Sequence, residues 1–132
     1  MILVDTSVLI DFFKGTDNEQ GDKFEQIIKK GIPFGINNLI YLEVLQGAKS
    51  KKEFTLLDSY LSTQTFYKLV NGKKSYQAAA LIAIKCRAKG LTIRSTIDLL
   101  IAQTAIENHL FLLHNDHDFT RIASIEKKLK EY

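Results

Sequence analysis

Apolar positions recur along this chain in two rhythms: short unbroken runs, and longer stretches with helical spacing. Ile2 to Asp5 opens with three consecutive apolar residues, which predicts a strand buried on both faces. Ser7 to Lys14 reads as a helix, with Thr6 or Ser7 as N-cap and Gly15 as the stop. Asp17 to Lys30 reads as a second helix, with Phe24, Ile27 and Ile28 on one face and Gly31 at its end. Pro33 to Asn37 holds a strand, after which Asn37 or Asn38 caps a helix through Gln46, stopped by Gly47. Lys51 to Ser62 is helical, with Phe54, Leu57 and Leu61 aligned. Thr65 to Val70 predicts another strand, and Lys73 to Lys89 a long Ala-rich helix ending at Gly90. Ser95 or Thr96 caps a helix that runs to Asn108, Phe111 to Leu113 is a buried strand, and His117 to Ile125 begins a further helix. The tail, IEKKLKEY, fits either a helix or a frayed edge strand.

Strands alternating with amphipathic helices predict an α/β fold: a central parallel sheet of four to five strands between two helical layers. In such sheets ligands bind outside the carboxyl ends of the strands. The chain has 132 residues, one proline (Pro33) and no linker, repeat or low-complexity tract, so residues 1–132 read as one domain. Hydrophobic residues at 45% and charged residues at 25% are ordinary for a soluble globular protein. Cys86 is the one cysteine, which excludes an internal disulfide and fits a reducing, cytoplasmic setting; it reads as a small core hydrophobe. No basic region precedes the apolar N-terminal residues, so no secretory signal is expected. The longest apolar run, Ala78 to Ile84, is too short to cross a bilayer.

The formal net charge of +3 permits a nucleic-acid partner without requiring one. Its distribution is uneven. No acid lies from Asn71 to Ile97, where Lys73, Lys74, Lys85, Arg87, Lys89 and Arg94 stand. That stretch is either a solvated helix face or a surface for a polyanion.

Four acids break the pattern around them. Asp5 ends the first apolar run, and Asp116 follows the strand FLL in FLLHNDHDF. Glu43 sits among Leu39, Ile40, Tyr41, Leu42, Val44 and Leu45. Asp98 shares a face with Ile101, Ala102 and Ala105. Each has an ordinary explanation: Asp98 in a capping box after Ser95, Asp116 in a turn, Glu43 paired with a buried Lys or Arg, Asp5 as a helix cap. Together they can instead converge at one sheet edge. Two carboxylates about 4 Å apart repel by roughly 4 kcal/mol at an effective dielectric of about 20, so such a cluster calls for a cation. Hard oxygen donors without thiolate point to Mg²⁺ or Mn²⁺. That arrangement suits hydrolysis of a phosphodiester, leaving a 5′-phosphate and a 3′-hydroxyl.

The other acids read differently. Asp11 can pair with Lys14 on a wet face, Asp17, Glu19, Asp22 and Glu25 lie on a polar stretch, and Glu53 and Asp58 look like helix surface. Asp118 either caps the following helix or joins the cluster as an outer ligand. His114 and His117 lack the partner pair a zinc site needs, and neither a nucleophile elbow nor a glycine-rich phosphate loop is present.

MILVDTSVLIDFFKG, an isolated helix glutamate, and RSTIDLLIAQTAIENHLFLLHNDHDF, in this order and spacing, resemble the PIN-domain family, and within it the VapC-type ribonuclease toxins of toxin–antitoxin systems. The likeness spans essentially the whole chain. It implies a five-stranded parallel sheet, which IEKKLKEY supports poorly at its last strand. It maps the family's acidic quartet onto Asp5, Glu43, Asp98 and Asp116, holding Mg²⁺ or Mn²⁺ and activating water. The family's helper hydroxyl falls on Thr6 or Ser7, with Ser7 favoured to orient Asp5. Many relatives have Thr or Ser where His114 stands. The likeness further implies a homodimer and a small cognate antitoxin of the VapB type that brings an Arg or Lys to the acidic site. Apolar helices from Ile40 and Phe54 are then candidates to line its groove. The implied substrate is structured RNA, tRNA or ribosomal RNA, steered by the basic stretch from Lys73 to Arg94. A haloacid-dehalogenase-type phosphohydrolase would want an aspartate where Ser7 stands. The remaining alternative is a PIN-like scaffold that binds RNA or protein without cutting.

Overall fold

The computed structural model describes residues 1–132. Five strands and seven helices follow one another: β1 (Ile2–Val4), α1 (Thr6–Lys14), α2 (Glu19–Lys30), β2 (Phe34–Ile36), α3 (Asn38–Gln46), α4 (Lys51–Leu61), β3 (Thr65–Phe66), α5 (Lys73–Ala88), α6 (Thr96–Glu107), β4 (Phe111–Leu113), α7 (His117–Ile125) and β5 (Lys130–Glu131). All strand pairs are parallel, in the order β3-β2-β1-β4-β5. Ile2, Leu3 and Val4 are buried on both faces, as an unbroken apolar run requires of a central parallel strand.

The chain leaves β1 in one direction to build β2 and β3, then crosses back to build β4 and β5 on the other side. Right-handed crossovers therefore put the first four helices on one face and the last three on the other. The packing agrees: α1 touches α2 and α3, and α3 touches α4, while α5, α6 and α7 touch one another. The reversal makes the gap between β1 and β4 the topological switch point, where open α/β sheets bind ligands. Asp5 and Asp116 follow those two strands.

Several boundaries differ from the sequence expectation, each because a polar group finds a particular partner. The N-cap of α1 is Asp5, ahead of Thr6 and Ser7, because its carboxylate reaches the Ser7 N–H. Asn18 caps α2 by accepting from the Gly21 N–H at 2.8 Å, so that helix starts at Glu19, past Asp17. Strand β3 stops at Phe66: Tyr67 N–H donates to Ile36 O, and by Val70 the backbone N–H has turned to the Glu107 carboxylate at 2.8 Å. The tail is a strand, with Tyr132 N–H donating to Leu112 O at 2.9 Å. Gly35 lets β2 and β3 come together, since a Cβ there would lie 2.5 Å from Thr65 O and from the Tyr67 ring. Cys86 is buried in the core, as expected.

Candidate active site

The site begins where β1 hands over to α1. Asp5 is 4% exposed, and its Oδ2 accepts from the Ser7 N–H at 3.0 Å and the Ser7 hydroxyl at 2.7 Å. Burial raises its pKa, the Ser7 hydrogen bonds oppose that rise, and the Glu43 charge adds to it. Glu43 projects from the second turn of α3. That helix is anchored by Asn37, whose side chain caps Ile40 N–H at 2.9 Å and donates to Thr104 Oγ1 at 3.2 Å. Glu43 Oε1 accepts from the Thr6 hydroxyl at 2.7 Å, so its partner is a neutral hydroxyl and not the buried Lys or Arg weighed above.

Asp98 lies in the first turn of α6, with its own N–H on the capping Ser95 Oγ at 3.4 Å. Its carboxyl is pushed up to about 7, first by desolvation, then by the charges of Asp5, Asp116, Glu43 and Asp118. Four acids from three separate regions of the chain therefore act on one carboxyl group. Asp116 caps α7 by accepting from the Asp118 N–H at 2.9 Å. Asp98, Asp116 and Asp118 can each offer an oxygen so that all lie within 4.8 Å of one another. Asp5 and Asp116 are themselves N-caps and Asp98 and Asp118 sit in first turns, so three helix N-termini face the cluster and temper its repulsion.

The cap and cluster readings of these acids are thus compatible. For Asp118 the cap reading fails, because Asp116 holds that position. Asp118 is buried, with Oδ1 paired to Arg121 Nη1 at 2.7 Å and Oδ2 accepting from Arg94 N–H at 3.4 Å. The arrangement of carboxylate oxygens, facing one another with one guanidinium beside them, is the donor set of a hard divalent cation. Of the four acids singled out in the sequence, Asp98 and Asp116 lie in the close cluster with Asp118, while Asp5 and Glu43 stand near enough for their charges to act on Asp98. Ser7 holds Asp5 and Thr6 holds Glu43.

Sequence reasoning missed three participants. Arg121, one turn after Asp118, is the cation that touches the cluster; the i,i+3 spacing was a usable signal. Asn115 N–H donates to Ser7 Oγ at 2.9 Å, tying the loop after β4 to the Asp5 support. Glu131 on β5 meets His114 Nε2 at 2.7 Å, and His114 Nδ1 lies 3.2 Å from Asp116 N. Asp11 was expected on Lys14; it accepts instead from Asn18 Nδ2 at 3.0 Å and Asn115 Nδ2 at 3.4 Å, because both amides turn toward it. Asp58 accepts from the Tyr41 hydroxyl, so it is more than plain helix surface.

The six basic residues are all exposed but do not form one patch. Lys73 and Lys74 begin α5, while Lys85, Arg87 and Lys89 lie at its far end, about 20 Å away at 1.5 Å per residue. Lys85 is paired with Glu126 at 3.1 Å. Arg87 borders a cavity with Thr96, Leu99 and Leu100 of α6. On the helix that carries Ile40, that side chain itself is buried in the core. The surface between α1, α3 and α4 carries Phe13, Val44, Leu57 and Phe54 in two shallow cavities of about 130 and 440 Å³.

A PIN domain family model matches residues 2–125, and the chain belongs to that family. Among curated relatives, the VapC ribonuclease Mb1587 of Mycobacterium bovis is 31% identical over 134 residues, covering 95% of this chain and 93% of that protein. Ribonuclease VapC11 of Mycobacterium tuberculosis matches at the same identity and coverage. The solved structure of VapBC2 from Rickettsia felis bound to a DNA fragment from their promoter aligns with a TM-score of 0.75 at 21% identity, covering 100% of this chain and 98% of that one. VapBC-1 from nontypeable Haemophilus influenzae aligns with a TM-score of 0.71 at 19% identity, over 100% and 97% of the two chains. Both share the fold of this chain.

Proposed function

We propose that this chain is a Mg²⁺- or Mn²⁺-dependent endoribonuclease, the toxin of a VapBC-type toxin–antitoxin pair, acting as one domain over residues 1–132. The observation that carries the reading is geometric: carboxylate oxygens of Asp98, Asp116 and Asp118 come within 4.8 Å of one another, with the charges of Asp5 and Glu43 close enough to act on Asp98. Such crowding has a use if a cation is to be gripped. The relatives named as VapC ribonucleases support the activity.

In this reading Asp5, Asp98 and Asp116 hold the cation, with Glu43 completing the quartet and Asp118 at its edge. When bound, the cation supplies Lewis acidity, making water nucleophilic near neutral pH and offsetting charge on the phosphate. Ser7 keeps one oxygen of Asp5 aimed. Thr6 occupies Oε1 of Glu43, leaving Oε2 free to take the proton from the attacking water. The water oxygen bonds to phosphorus, the 3′ oxygen leaves and is protonated, and the products are a 3′-hydroxyl and a 5′-phosphate. Arg94, the nearest of the six basic residues to Asp98 in sequence, is the first candidate to bind RNA phosphates, with Arg87, Lys73, Lys74, Lys85 and Lys89 as further candidates.

The substrate class is structured RNA, tRNA or ribosomal RNA, whose cleavage would stop translation. The partner is a VapB-type antitoxin whose apolar segment suits the Phe13, Phe54 and Leu57 surface and whose Arg or Lys would enter the acid cluster. A homodimer and a cytoplasmic location complete the proposal; no helix is long and apolar enough to cross a membrane.

The test is incubation of the purified chain with total tRNA and ribosomal RNA, with Mg²⁺ or Mn²⁺ and then with EDTA, repeated with Asp5→Asn and Asp98→Asn. Cleavage lost with chelator and with either substitution is expected. Cleavage that survives both overturns the mechanism, and no cleavage at all favours a binding scaffold. Sequencing the cut ends names the target.

A further inference from the structure

We infer that Glu131, on the terminal strand, is a positioning residue for the acid cluster, acting through His114 to hold the Asp116 loop in the geometry that grips a divalent cation. This rests on the cation-dependent reading above and extends it to residues outside the cluster.

The chain of contacts is directional. A backbone N–H can only donate, so the Asp116 N–H donates a hydrogen bond to His114 Nδ1 at 3.2 Å. The proton of a neutral imidazole then lies on Nε2, which faces Glu131 Oε2 at 2.7 Å. The Thr120 hydroxyl donates to the same carboxylate oxygen at 3.1 Å, fixing Glu131 from a second side. His114 is buried and packs against the Phe119 ring with centroids 5.1 Å apart, which limits its swing. On its other side the loop hangs from Asn115 N–H to Ser7 Oγ. Asp116 is thus held between two supports. One runs to Asp5 through Ser7, the other to β5 through His114. Its Oδ1 is committed to Asp118 N–H, which leaves Oδ2 for the cluster.

The contact also gives β5 a role beyond closing the sheet. Lys130 and Glu131 are exposed, and the residue that anchors this segment in the core is Leu129, just before the strand. What the strand delivers is a carboxylate beside His114. Outer partners of this kind commonly change metal affinity by about 10- to 100-fold.

The test uses the full chain and Mn²⁺. Calorimetric titration compares the wild type with Glu131→Ala, which removes the acceptor, and Glu131→Gln, which keeps one. Glu131→Gln is expected to bind Mn²⁺ within about twofold of wild type and Glu131→Ala about tenfold more weakly. In RNA cleavage at fixed Mn²⁺ below saturation, Glu131→Ala is expected to lose kcat with KM unchanged. Wild-type affinity in Glu131→Ala, or equal loss in Glu131→Gln, overturns the inference. A wild type that binds no Mn²⁺ overturns the cation reading as well. If Glu131→Ala fails to fold, the wild type carries the test by long-range proton–nitrogen NMR of His114. The proton on Nε2 is expected, and a proton on Nδ1 alone overturns the relay.

Discussion

The Thr6 hydroxyl donates to Glu43 Oε1 at 2.7 Å, linking the start of α1 to the middle of α3 across 37 positions of chain. Asp5 and Glu43 are brought side by side because the residue after Asp5 reaches the glutamate directly. Thr6→Val keeps the shape and removes the donor. The expected outcome is a fall in RNA cleavage of about tenfold, matching roughly 1.4 kcal/mol for one lost hydrogen bond to a charged group. Thr6→Ser is expected to stay near wild type, and steady-state kinetics with both variants checks it.

Asp98→Asn removes the charge that four acids oppose. Without cation the variant is expected to melt higher than wild type, by about 4 °C for each kcal/mol of repulsion relieved, while losing cleavage. Differential scanning calorimetry in EDTA reads the first effect. A lower Tm would mean the acids do not crowd one another.

Asp98 keeps its proton in the folded chain up to about pH 7, whereas the unfolded chain releases it near the ordinary value of 3.8. Between these values the folded state binds more protons. The contribution of this group to stability therefore falls as pH rises from about 4 through 7 and levels off above. Mn²⁺ must displace that proton, so the Tm gain on adding Mn²⁺ is expected to be larger at pH 8 than at pH 5.5. Melting curves at the two pH values, with and without Mn²⁺, measure both trends.

Gly35→Ala introduces a Cβ 2.5 Å from a backbone oxygen of the neighbouring strand. Neither strand can yield without breaking the β2–β3 pairing. A loss of about 3 kcal/mol is expected, read as a lower urea midpoint.

Much of this was legible in the chain because local signals and tertiary needs agree. Unbroken apolar runs gave β1 and β4, and glycines at 15, 31 and 90 stopped helices where positive φ was required. Glu43 and Asp98 stood out because apolar neighbours surround them, and Asp5 and Asp116 because each follows an apolar strand. What stayed hidden depends on closure of the fold. IEKKLKEY has no strand periodicity, and β5 forms through pairing with β4, so the Glu131–His114 contact was invisible. Arg121 looked like one more helix charge until α7 turned it toward Asp118. Asp11 had a local partner in Lys14, but two distant amides proved closer.

The most direct measurement is anomalous diffraction from crystals of this chain soaked in Mn²⁺. The expected result is a manganese peak bounded by carboxylate oxygens of Asp5, Asp98 and Asp116, absent in Asp98→Asn crystals. A soaked crystal with no peak among these side chains, or with manganese only at some other surface, would contradict the claim that these acids are gathered to hold a cation.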